Sequence, residues 1–152
     1  MSRQPKIKIG CHRRSNEVLD LGTKIETGRV TLTLPIKTVS EGNCSEHWTK
    51  KSKRHKSQQK HIWIAWQPIK KIVALPCVIT LTRYAPGTLD KQDNLPYSMK
   101  WIVDAIAAEI TGDYRYGRAD STDLIDWFYA QEKSSFYAIK ISIELKSISR
   151  LS

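Results

Sequence analysis

The sequence predicts a mixed α/β (α+β) domain: a four-stranded sheet with two main helices, in the order strand, helix, strand, helix, strand, strand. Three observations predict it. Val30-Thr31-Leu32-Thr33-Leu34 and Cys77 to Tyr84 alternate β-forming residues in the manner of strands. Met99, Ile102, Val103, Ile106 and Ile110 recur at helical spacing and make one apolar stripe. Leu124 to Gln131 and Phe136 to Leu145 are two more strand-like runs, and the polar link Glu132-Lys133-Ser134-Ser135 reads as a hairpin between them.

Taken in order, residues 1–29 are polar and charged without a clear period, and read as an N-terminal arm ahead of a domain at 30–152. Pro35 stops the first strand. Ser45 is the expected N-cap of a helix from about Glu46 to about Ala65, ahead of Pro68. Trp48, His55, Ile62 and Trp66 are placed to share its buried face. Ala85-Pro86-Gly87 ends the second strand, and the second helix follows Asn94 and stops at Thr111-Gly112. In the last run, Tyr137, Ile139, Ile141 and Ile143 are expected on the buried face, with Ala138, Lys140, Ser142 and Glu144 on the wet one.

The chain has 152 residues, a formal net charge of +10 and 40% apolar residues. That is enough for one folded domain with a basic surface, and too apolar for a disordered polycation. The charge points to a polyanion. No apolar run approaches the roughly 20 residues of a spanning helix, and no signal-peptide h-region follows the N-terminus. Cys11, Cys44 and Cys77 are odd in number and widely spaced, so a reduced, cytoplasmic protein is expected. A zinc site built on Cys44, His47, His55 and His61 is disfavoured, because Cys44-x-x-His47 has no matching second pair.

Two stretches carry chemistry. The first is the helix from Glu46, where Lys50, Lys51, Lys53, Arg54, Lys56 and Lys60 crowd eleven positions. Like charges at i,i+4 repel, so such a run is most intelligible facing nucleic acid. Arg115 and Arg118, in a loop with Tyr114 and Tyr116, extend that surface. Trp63, Trp66, Trp101 and Trp127 adjoin apolar positions and read as core.

The second stretch is Asp90 to Asp104. Asp90 and Asp93 lie in a turn before a helix, Lys100 follows in its second turn, and Asp120 and Asp123 form a later acidic turn. Carboxylates of this kind suit Mg²⁺, which takes oxygen ligands and keeps several waters. Asp90, Asp93 and Asp120 would form the cradle with Asp123 in reserve, and Lys100 would supply fixed charge at a phosphate. The same residues also describe an ordinary capped helix and a surface ion pair.

Several pieces in order resemble RusA-type Holliday junction resolvases. They are Asp93-Asn94-Leu95, Lys100, Val103-Asp104-Ala105-Ile106, Asp120-Ser121, Ile125-Asp126-Trp127-Phe128-Tyr129-Ala130-Gln131 and Tyr137-Ala138-Ile139-Lys140-Ile141. Glu46-His47-Trp48 before the basic helix is similar to the phage-borne branch. The resemblance covers about residues 30–145. It implies a homodimeric endodeoxyribonuclease that uses Mg²⁺, with Mn²⁺ as a substitute, to resolve four-way DNA junctions by paired symmetric nicks. It further implies Asp93, Lys100 and Asp120 as essential residues, with Asp90 as the remaining aspartate. Asp90-Lys91-Gln92-Asp93-Asn94 is one residue longer than the family's usual Asp-x-Asp-Asn. That departure keeps open a non-catalytic DNA-binding protein of the same fold with a degenerate metal site.

Overall fold

The computed structural model describes residues 21–41, 45–114 and 122–146. They form a five-stranded mixed sheet with three helices. The strands are β1 (Gly22–Glu26), β2 (Arg29–Leu34), β3 (Cys77–Ala85), β4 (Ile125–Lys133) and β5 (Ala138–Leu145), arranged β1-β2-β5-β3-β4. The helices are α1 (Trp48–Trp66), α2 (Asn94–Ser98) and α3 (Lys100–Thr111).

The α+β class expected from sequence holds, with one strand more than expected. The additional strand, β1, lies within the stretch read as an arm and pairs antiparallel with β2. Thr27 and Gly28 close the turn, Gly28 taking a φ of 76° that glycine adopts without steric cost. All of β1 after Gly22 is exposed. An edge strand with no buried face has no period-2 apolar signal to read.

The expected hairpin between the last two strands is not formed. β3 lies between them, parallel to β4 and antiparallel to β5. The link passes the end of β3, where the Ser134 N–H donates to the Ala85 carbonyl at 2.9 Å. Crossing one strand means spanning about 9–10 Å, within reach of a few extended residues. β3 takes the interior place because it is apolar along most of its length and largely buried. The β3–β4 connection runs through α2 and α3, as a parallel pair requires.

Register aligns the inward residues in rows. Val30, Ile143, Ile79 and Trp127 make one, and Leu32, Ile141, Leu81 and Tyr129 the next. A third, Leu34–Ile139–Arg83–Gln131, turns polar at its β3 and β4 end. Ile62 and Trp66 of α1, with Ile102, Val103 and Ile106 of α3, join the same core. The ring of His55 stacks on Trp101 at 3.9 Å between centroids and joins the two helices. Tyr137 is not on the buried face: it precedes β5 and is exposed, with the Lys37 ammonium 4.6 Å from its ring centre. Ala138, expected on the wet face, is fully buried instead.

The helix ends differ from expectation in two places. The N-cap of α1 is His47, whose Nδ1 accepts from the Thr49 N–H at 3.4 Å, and not Ser45. Trp48 sits on the same face as Ile62 and Trp66 but in the first turn, ahead of the packed half of the helix, and is exposed. The second expected helix is split at Met99 (φ −104°, ψ 0°) into α2 and α3. At the break the Met99 N–H donates to Pro96 O at 3.1 Å, a tightened three-residue turn in place of a continuous ladder, and the Ser98 hydroxyl donates to Leu95 O at 2.7 Å. Gly112 closes α3 in the left-handed region at φ 70°, its N–H donating to Ala108 O.

Candidate functional site

The acidic turn follows β3 and is pinned to the sheet before it begins. Gln131 on β4 donates from Nε2 to Leu89 O at 2.6 Å and accepts the Leu89 N–H at 2.9 Å. Asp90 comes next, with both carboxylate oxygens turned onto its own turn. Oδ1 accepts the N–H groups of Asp93 (2.9 Å) and Asn94 (3.3 Å), and Oδ2 accepts from the Asn94 amide. The backbone N–H of Asp93, then the Asn94 side chain and N–H, hold the Asp90 carboxyl below its ordinary pKa. The Asn94 Oδ1 in turn accepts from Ser40 Oγ at 2.7 Å, tying the loop after β2 to the turn. Asp90 therefore works as the cap that shapes the turn into α2.

Asp93 and Lys100 are placed differently. They line one open cleft of about 460 Å³ with Gln92, Asn94, Pro96, Tyr97, Val103 and Tyr129. The helix break at Met99 makes Lys100 the first residue of α3, in place of the second turn of a longer helix. Both side chains are exposed, and neither takes a hydrogen bond or ion pair from its side chain among the described residues. Among the described residues, Asp93 thus offers a carboxylate and Lys100 an ammonium to whatever enters the cleft.

Asp120, Arg115 and Arg118 lie outside the described residues, as do Tyr116, Cys11 and Cys44. Asp123 is described and does not line the cleft. It precedes Ile125 at the start of β4, more than roughly 13 Å along the strand from Tyr129. No group of three or more His, Cys, Asp or Glu residues with metal-holding geometry occurs among the described residues.

On α1, Lys50, Lys53, Lys56 and Lys60 are exposed and Lys51 half-buried. Arg54 is not part of that surface. Its guanidinium bonds Glu41 and Glu46 at 2.7 Å each, and His55 Nε2 lies 2.7 Å from the same Glu41 oxygen. Burial raises the Glu41 pKa, but hydrogen bonds and charge from Arg54 and His55 outweigh it and leave it below the ordinary value. Glu46, just before α1, is one of the two acids that fix Arg54. Trp63 also departs from expectation: it is 55% exposed, whereas Trp66 is 1% exposed. The Tyr114 ring is exposed, its hydroxyl 3.4 Å from Glu109.

Gln131 closes the Ile125–Gln131 segment that carries the family resemblance, but its role as a clamp on Leu89 was not expected, and neither was any role for Ser40 or Glu41. Gln131 had a signal: it ends the alternation Ile125, Trp127, Tyr129, Gln131, so a polar group had to finish the inner face. Ser40 and Glu41 had none, since their partners lie 54 and 13 residues away.

No helix among the described residues is long and apolar enough to cross a membrane. No protein-family model and no curated protein matches the chain.

Proposed function

We propose that this chain is a Mg²⁺-dependent endodeoxyribonuclease of the RusA type, acting as a homodimer that nicks four-way DNA junctions in symmetric pairs. One observation carries the reading: Asp93 and Lys100, both without side-chain partners among the described residues, line a single open cleft. A metal-binding carboxylate and a fixed cation beside it are what phosphodiester hydrolysis uses. Asp93 and Asp120 would hold the ion, with Asp90 a weaker contributor because its oxygens already serve the turn. When bound, Mg²⁺ would supply an activated water and neutralise phosphate charge. Lys100 would stabilise the negative charge that develops at the phosphate. Lys50, Lys51, Lys53, Lys56 and Lys60 would gather backbone phosphates, with counterion release as the driving term. Two-fold symmetry would match two identical sites to two related strands.

Cleavage of a synthetic four-way junction tests this. Paired nicks in Mg²⁺ or Mn²⁺, abolished by chelation, are expected. Tight junction binding without nicking in either metal would establish the second reading, a DNA-binding protein with a degenerate site. The capping role of Asp90 favours that second reading, since it occupies one of the three aspartates the chemistry would use.

A further inference from the structure

The outer side of α1 holds a second arrangement, apart from the cleft. Lys53, Lys56, Lys60 and Trp63 follow one another at steps of three and four residues, so they form one stripe along the helix. The buried residues of α1, Gln58, Ile62 and Trp66, lie on the other side. The three lysines are exposed and take no ion-pair or hydrogen-bond partner among the described residues. Arg54, on the flank, is fully engaged by Glu41 and Glu46. Trp63 is 55% exposed and Ile64 beside it 54%. Packing does not explain that indole, because Trp66 fills the core one turn later.

We propose that this stripe binds nucleic acid with unpaired bases: the lysines follow the phosphates and the Trp63 indole stacks on a base. Lys53 and Lys60 lie roughly 10 Å apart along the axis, and Trp63 about 4.5 Å further. Such a row can accompany a strand for a few nucleotides and end on a stacking platform. Stacking on an aromatic ring tolerates any base, so the surface selects strand state over sequence. A lipid surface fits less well. Interfacial helices insert a whole apolar face, and the apolar face of α1 is spent on the core through Ile62 and Trp66, leaving Trp63 and Ile64 exposed near the lysines and Trp48 apart from them in the first turn. A second copy of the chain would oppose one lysine row with another. The proposal rests on the polyanion-binding half of the reading above and not on cleavage.

The test uses the full chain with a labelled oligothymidylate and, as control, a blunt duplex carrying the same number of phosphates. Trp63→Ala should weaken oligothymidylate binding about tenfold, with duplex binding changed less than about twofold. Trp63→Phe should keep most of the affinity, and unchanged melting temperatures would show both variants folded. Lys53→Gln, Lys56→Gln and Lys60→Gln together should lower the single-strand salt slope by about 2. Three results would overturn the proposal: equal effects of Trp63→Ala on both DNAs, no effect on either, or Trp63-dependent binding to phosphatidylserine vesicles without oligothymidylate binding. Nicking is not read at any point, so a protein that fails as a nuclease still passes or fails here.

Discussion

Gln131 grips Leu89 with both ends of its carboxamide, donating to the carbonyl at 2.6 Å and accepting the N–H at 2.9 Å. The contact joins the inner face of β4 to the residue immediately before Asp90. Its rigidity therefore passes to the whole acidic turn. Gln131→Leu should cost about 1–3 kcal/mol, because two half-buried backbone groups lose their partners. Urea denaturation measures it. Gln131→Glu sets a carboxylate against the Leu89 carbonyl, so its deficit should shrink as that carboxyl protonates below about pH 5. An equal deficit at pH 4 and pH 7 would show that the clamp is not the cause.

The Asp90 carboxyl is held below its ordinary pKa by the N–H groups and amide it accepts from. A depressed folded-state pKa means the contribution is complete above the unfolded value near 3.9 and is lost as pH falls through the folded value. Asp90→Asn should therefore be less stable than wild type at pH 7, and the two should converge toward pH 2. Parallel stability curves across that window would remove Asp90 from the acid transition.

The legible parts of the fold were those whose burial is periodic. β2, β3 and the stripe Met99–Ile102–Val103–Ile106 each face the core on one side or both, and their apolar spacing shows it. β1 was invisible because it buries nothing. Sequence adjacency suggested pairing β4 with β5, but two strands joined by a short link can still admit a third between them, and the buried character of β3 decides that. At the site, Asp93 and Lys100 were legible as residue types. That Asp90 spends its charge on the turn depends on where two backbone N–H groups point, which residue identity does not specify. Trp63 was misplaced for a related reason: it sits next to Ile62, but neighbouring positions on a helix face about 100° apart.

Arg54 and its neighbouring lysines should separate cleanly. Arg54→Ala leaves Glu41 and Glu46 without their main partner and should cost about 1–3 kcal/mol. Its effect on the salt dependence of DNA binding should be slight. Lys53→Ala should do the opposite, leaving stability within about 0.5 kcal/mol and lowering the duplex salt slope by about 0.9. Denaturation and a salt titration of DNA affinity read both. A large slope change from Arg54→Ala would return that residue to the binding surface.

Asp93 and Lys100 bear directly on the proposed chemistry. Both are exposed and bond nothing through their side chains among the described residues, so Asp93→Asn and Lys100→Met should leave stability within about 0.5 kcal/mol. If the cleft is a nuclease site, Lys100→Met should slow junction nicking by about 10²–10³, the usual cost of removing one charge-stabilising group. Asp93→Asn should abolish nicking at the Mg²⁺ concentration that supports the wild type, because an amide oxygen is a weaker ligand for a hard cation than a carboxylate. Junction affinity measured without metal should change less than about twofold for either variant, since the phosphate-binding lysines lie on α1. Single-turnover nicking with saturating protein separates the two effects. Normal nicking by Asp93→Asn would move the chemistry out of this cleft.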